Sequence, residues 1–187
     1  MLVQLALVAL ALLVSLVITR QYLMARVDDR IDATLTQEVD EFRALAQTGI
    51  DPVTRAPFDD PRRLLQLHLQ RSIPQTNETL IGLVDGVPVS RVAQEPPARL
   101  DLDPDAVAAF AAAQDTRTGQ VRTERGVVTY RVVAVLVEGS TTRGALVVGV
   151  FRDLERREVD VVTYVLLGAG AVGAQRPLFH AAAGLVG

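Results

Sequence analysis

The chain has 187 residues, about half of them apolar, and its charge is confined to the middle: all 22 acidic residues and 18 of the 19 basic ones lie between Arg20 and Asp160. That leaves one domain's worth of acidic polar sequence between two nearly uncharged ends. An acidic middle without a basic patch excludes nucleic acid as the main partner, and the absence of cysteine excludes disulfides, thiolate metal sites and thiol nucleophiles together.

The first element is the run 2–19, in which only Gln4, Ser15 and Thr19 are polar. As a helix these 18 residues span roughly 27 Å, close to the ~30 Å hydrocarbon core of a bilayer. No basic residue precedes the run, and "SLVITRQYLMARV" offers no small-x-small cleavage site. It therefore reads as an uncleaved anchor, transmembrane helix 1 (residues 1–19), rather than a signal peptide. Arg20, Arg26 and Arg30 follow it, which by the positive-inside rule alone puts the middle in the cytoplasm; that rule governs short loops, and this one has 141 residues.

Past the anchor, Leu23, Val27, Ile31, Leu35, Val39 and Phe42 recur as one apolar stripe, which predicts a long helix. Steps of four dominate, so a strict heptad coiled coil is not indicated. Gly49 and Pro52 stop the helix. Asp60 as N-cap and Pro61 as first helical residue open a second, shorter one.

The period then changes to two. Residues 80–84 and 87–92 read as a hairpin turning at Asp85-Gly86, with Pro88 marking an edge strand. Asp103-Pro104 starts a third helix, and strands follow at 120–124, 127–137 and 145–151, the last of them the most apolar. From Leu154 a helix runs into the next apolar stretch, 161–174. The expected fold is α+β: an antiparallel sheet of about five strands, with long flanking helices on one face, placed between two transmembrane helices.

"GAGAVG" within 161–174 can be read as a dinucleotide-binding fingerprint, but only 14 residues follow Gly173 and none is acidic, whereas that fingerprint needs a second strand and an acid about 20 residues on. The spacing of Ala169 with Gly173 and of Gly170 with Ala174 suits close helix packing in a membrane instead. At 14 residues the stretch is short for a span, roughly 21 Å.

No catalytic group, cofactor site or metal site emerges. Asp28 and Asp32 share a helix face and could meet a cation, but the plainer reading is a solvated face paired with Arg26 and Arg30. Asp101-Asp103-Asp105 lacks the glycine and terminal glutamate of a calcium loop, with Asp103 already used as a cap. Every basic residue is Arg and none is Lys, which suggests a GC-rich bacterial genome, and in a bacterial protein the glycosylation sequon Asn77-Glu78-Thr79 carries little weight. His68 and His180 have no acidic neighbour in sequence, and no Ser-His-Asp arrangement can be assembled.

Two junctions, "TRQYLMARVDDRID" leaving the first apolar run and "VVGVFRDLERREVD" entering the second, together with the order of elements, resemble the input half of a bacterial sensor histidine kinase, especially of the actinobacterial kind. The resemblance covers most of the chain. It implies a PAS-like extracytoplasmic sensor domain at 20–160, a short second transmembrane helix at 161–174 and a tail at 175–187 in which Arg176-Pro177-Leu178 is similar to the entrance of a HAMP linker. It further implies a homodimer in the bacterial cell membrane, an unknown extracytoplasmic ligand, and a ligand-dependent helix shift as output, with Leu23, Val27, Ile31 and Leu35 as the candidate lever face. The sequence departs from that family in lacking a phosphoacceptor box, an asparagine box and a glycine-rich ATP lid; His68 is followed by Leu69 where the box has an acid. Only nine residues follow Leu178, so a linker and kinase core are expected to be lost or supplied elsewhere. The rival class is a membrane-anchored interaction or scaffold protein without signalling output.

Overall fold

The computed structural model describes residues 2–113 and 115–157. The second apolar stretch and the tail, with Ala169, Gly170, Gly173, Ala174 and Arg176-Pro177, lie outside the described residues.

Eight elements follow in chain order: α1 (Leu2–Thr48), α2 (Pro61–Arg71), β1 (Glu78–Val84), β2 (Val87–Arg91), α3 (Pro104–Ala111), β3 (Arg117–Thr123), β4 (Gly126–Val135) and β5 (Gly144–Phe151). The fold is α+β, with one antiparallel five-stranded sheet in the order β2-β1-β5-β4-β3. Pro88 sits in an edge strand, where a missing amide hydrogen costs no ladder bond. Asp85 and Gly86 both take positive φ, 49° and 78°, as the two central residues of a hairpin turn twisted to match its strands must. The predicted caps are present: Asp60 accepts from the Arg62 amide, and Asp103 from those of Asp105 and Ala106.

The last strand in sequence is the middle strand in space. β5 pairs with β1 from Glu78↔Val150 to Val84↔Gly144 and with β4 from Val128↔Phe151 to Val135↔Gly144. Every residue of β1 is buried, and so is all of β5 but one. Such strands need cover on both faces, and this corrects the expectation of helices on one face only. Val27, Ile31, Leu35, Val39 and Phe42 of α1, with Leu64, Leu65 and Leu69 of α2, cover one face over Leu80, Leu146, Val148 and Val150. Leu100, Ala106 and Phe110 cover the other over Ile81, Leu83, Val128, Val132 and Val147.

The expectation of two membrane helices gains no support here. Among the described residues no helix is long and apolar enough to cross a membrane. The apolar run 2–19 is the opening of α1, a 47-residue helix that continues into the charged, core-packed part of the domain. The side chains of Leu2, Leu5, Val8, Ala9 and Leu12 are not among those described.

Candidate functional site: the joint between α1 and the sheet

The apolar stripe of α1 seats the helix on the sheet. Val27, Ile31 and Leu35 are buried there and Leu23, one turn nearer the N-terminus, is half-buried. The candidate lever face is therefore packed against the chain's own sheet. Beside it, at the same four-residue spacing, runs a polar stripe of Asp28, Asp32 and Thr36, and three arginines from the sheet side grip it.

Arg131, on β4, donates from Nη1 to Thr36 Oγ1 at 2.8 Å and from Nη2 to Asp32 Oδ1 at 2.9 Å. Just past β5, Arg152 takes both carboxylate oxygens of Asp28 in a fork, Nε to Oδ1 and Nη2 to Oδ2, each at 3.0 Å. Arg156 Nη2 lies 3.1 Å from both oxygens. Hydrogen bonding to Arg152, with the charge of Arg156 beside it, holds the Asp28 carboxyl below the usual carboxylate range. The expected pairing of Asp28 and Asp32 with Arg26 and Arg30 is corrected. Residues two apart point to different sides of a helix; Arg26 donates to Tyr22 and Arg30 to Gln75.

The segment 152–157 is a helical turn, and the residues between its arginines tie it to the sheet. Asp153 Oδ2 accepts from the Val127 amide at 2.9 Å. Gly126 supplies the close approach this needs: its φ is +108°, and a Cβ there would lie 2.4 Å from Asp153 Oδ2. Glu155 Oε1 accepts from Asn77 Nδ2 at 3.2 Å, and Leu154 packs into the second core. Residues 152–157 are thus fastened to α1, to Asn77 just before β1 and to β4 at once. Asn77, the sequon residue, is buried and committed to this contact.

Nearly three turns past Asp28, α1 carries the half-buried Glu38, and Glu78 at the start of β1 is buried. Glu38 Oε2 and Glu78 Oε1 are both buried and without a hydrogen-bond partner. Glu78 is 3% exposed, and its other oxygen accepts from the Gln75 amide at 2.9 Å. Burial, together with the negative charge of Glu78 and Glu41, pushes Glu38 up to about 7. Burial raises Glu78 as well, with Glu41 and Glu155 adding to it. His68 of α2 is buried against the Phe42 ring at a centroid distance of 5.0 Å, and burial lowers its pKa. The helix histidine of the sequence is thus a neutral packing group.

At the opposite end of the sheet, between α3 and the hairpin ends, is a recess of about 190 Å³ with Leu83, Phe110, Ala134 and Ala145 in its walls. Asp85 and Arg143 also line it, joined through Asp85 Oδ1 and the Arg143 amide at 2.9 Å. Asp101 is paired with Arg99 at 2.6 Å, not free for a cation. Among the described residues no group of three or more histidine, cysteine, aspartate or glutamate side chains could hold a metal ion.

The sequence reading missed the Asp28–Arg152–Arg156 clamp and the Glu38–Glu78 pair. No family model matches the chain, and no curated protein or solved structure matches it.

Proposed function

We propose that the chain is the membrane-anchored sensory input region of a bacterial two-component sensor histidine kinase, with a PAS-like extracytoplasmic domain between two apolar helices in the cell membrane. Its 187 residues contain no kinase motif, so the region supplies input and not catalysis. The observation that carries the reading is the continuity of α1. One unbroken helix of 47 residues, about 70 Å long, begins in the apolar run and ends packed on the sheet. In that run Val3, Leu7, Leu10, Leu13, Val17 and Ile18 are all at least half exposed. A helix that is apolar around its circumference and unpacked on its own chain is unstable in water and calls for lipid or another apolar partner.

The same helix is clamped through Asp28 to residues 152–157, the approach to the second apolar stretch. A change in the sheet that moves β5 therefore moves both connections together. The order β2-β1-β5-β4-β3 supports the PAS-like description, and the recess beneath α3 offers room for the unidentified ligand. A ligand that favours one arrangement of sheet and helices shifts the population of the other, and a homodimer would pass that shift to its partner through α1.

The chain has no cysteine, so any introduced one is unique. Leu10→Cys and Thr141→Cys chains, reconstituted in phosphatidylethanolamine–phosphatidylglycerol vesicles, should float with the lipid. A membrane-impermeant maleimide should label position 141 and leave position 10 protected. Protein that stays in the aqueous phase, or equal labelling at both positions, overturns the anchor. Oxidation of Ala33→Cys, Gln37→Cys and Asp40→Cys chains, all on the exposed side of α1, should give interchain disulfides. None at any of the three would refute the dimer and leave the anchored scaffold as the better reading.

A further inference from the structure

Two glutamates with buried, unpartnered oxygens stand on separate elements, Glu38 on α1 and Glu78 at the start of β1, where Glu78 lines a small cavity with Arg30, Ile31 and Thr34 of α1. A buried carboxylate oxygen without a donor is costly, because it has given up water and received nothing. No ion pair within 4 Å reaches Glu38 or Glu78 among the described residues, although eight such pairs form elsewhere among them. The charged neighbours do not relieve the cost. On α1, Glu41 adds like charge, and Arg30, which lines the same small cavity as Glu78, donates to Gln75 Oε1 at 3.4 Å. From α2 the facing group is His68, desolvated and favoured in its neutral form. From the segment 152–157 it is Glu155, another acid. A metal ion would need a larger ligand group than the described residues assemble.

We propose that Glu38 and Glu78 form a buried proton site at the joint between α1 and β1, so that taking up a proton tightens the seating of α1 on the sheet and releasing it loosens that seating. The chemistry is a simple ionisation: a carboxylic acid gives its proton to water and becomes a carboxylate. Protonation supplies an O–H donor in place of one orphaned acceptor and removes one of two like charges held in a low-dielectric joint. The charge of Glu78 raises Glu38, so the two titrate as a coupled pair. The folded state holds this proton more tightly than the unfolded chain, so the sign is fixed. Stability is fully present below the ordinary value of 4.5 and is lost as pH rises from there through about 7. The site depends on the fold alone. Its use as a stimulus, with acid outside the membrane drawing α1 onto the sheet, rests on the sensor reading.

The test uses the full chain in non-ionic detergent micelles. Glu38→Gln keeps the shape and removes the titration. Its melting temperature, followed by far-UV circular dichroism, should exceed that of the parent chain by about 2–4 °C near pH 8.5 and approach it near pH 4, below the ordinary glutamate value. The difference between the two chains cancels His68, whose lowered pKa acts in the opposite sense as pH falls. The second readout is a carbon-13 NMR titration of the glutamate carboxyls. One of them should have a midpoint near 7, and Glu78→Gln should move that midpoint toward the ordinary range, which a merely structural role for Glu78 would not do. A pH-independent difference in melting, with every glutamate titrating near its usual value of about 4.3, overturns the proposal. Because the titration needs no vesicle, its failure and the failure of the membrane anchor are read separately.

Discussion

Cutting the clamp at Asp28 is the most direct perturbation of the link between α1 and residues 152–157. Asp28→Asn keeps the size of the side chain and removes its charge and one acceptor oxygen. In the parent chain two guanidinium groups make four contacts of 3.0–3.1 Å to the two carboxylate oxygens. If fully buried, breaking such a group would cost about 3–5 kcal/mol; an exposed pair contributes about 0.2–1 kcal/mol. The Asp28 side chain is 44% exposed and those of Arg152 and Arg156 are 26% and 31% exposed. That puts the clamp between the two limits but nearer the exposed one. The expected loss is about 1–2 kcal/mol, after allowing for solvent screening.

Urea unfolding of the full chain in detergent, read by circular dichroism, measures that loss as a lower midpoint at unchanged slope. A double-mutant cycle with Arg152→Ala isolates the pair, and its coupling should be about 1 kcal/mol and shrink as salt is added. The pH dependence has the opposite sign to that of Glu38. Asp28 has its pKa lowered in the folded state, so the clamp's contribution is present above the ordinary carboxylate range and lost as pH falls through the folded value. A coupling below about 0.3 kcal/mol would refute the reasoning, since contacts that do not couple energetically cannot transmit a shift from one connection to the other.

Three further outcomes follow from the packing. Phe42 is 1% exposed and packs at a tilt against the His68 ring, so Phe42→Ala should cost about 3–5 kcal/mol in urea unfolding. It should also expose His68 and return the imidazole toward its usual pKa, readable by proton NMR. Gly126→Ala should destabilise by about 2 kcal/mol or more, since it forces a side chain into a positive-φ position and against Asp153. Hydrogen exchange at the Val127 amide, which donates to Asp153, should accelerate beyond what the global loss predicts. Asp103→Ala removes an acceptor for two amides of α3 and should cost about 1 kcal/mol, with the exchange faster in α3 than in α2.

The sequence made the elements legible wherever the signal is local. Asp85-Gly86 demands a turn that other residue pairs resist, Asp60-Pro61 and Asp103-Pro104 open helices by capping chemistry, and Pro88 belongs at an edge. Contacts between distant elements were not legible by the same means. Asp28 meets Arg152 across 124 residues of chain, and no periodicity says which arginine will come to an acid. The placement of α3 was half legible. The apolar runs of β1 and β5 announce burial on both faces, yet only the strand order makes them adjacent and so requires cover on each side. The Glu38–Glu78 pair left a fainter trace. Glu38 follows Leu35 by three residues and precedes Phe42 by four, so it stands beside Val39 at the edge of the apolar stripe. Glu78 likewise opens a strand whose every residue is buried. Glu78 interrupts a pattern that burial otherwise enforces, and a charge tally averages such an interruption away. A carboxyl that must be buried for the helix to seat is one whose ionisation the fold resists, and that resistance makes the joint between α1 and β1 sensitive to pH.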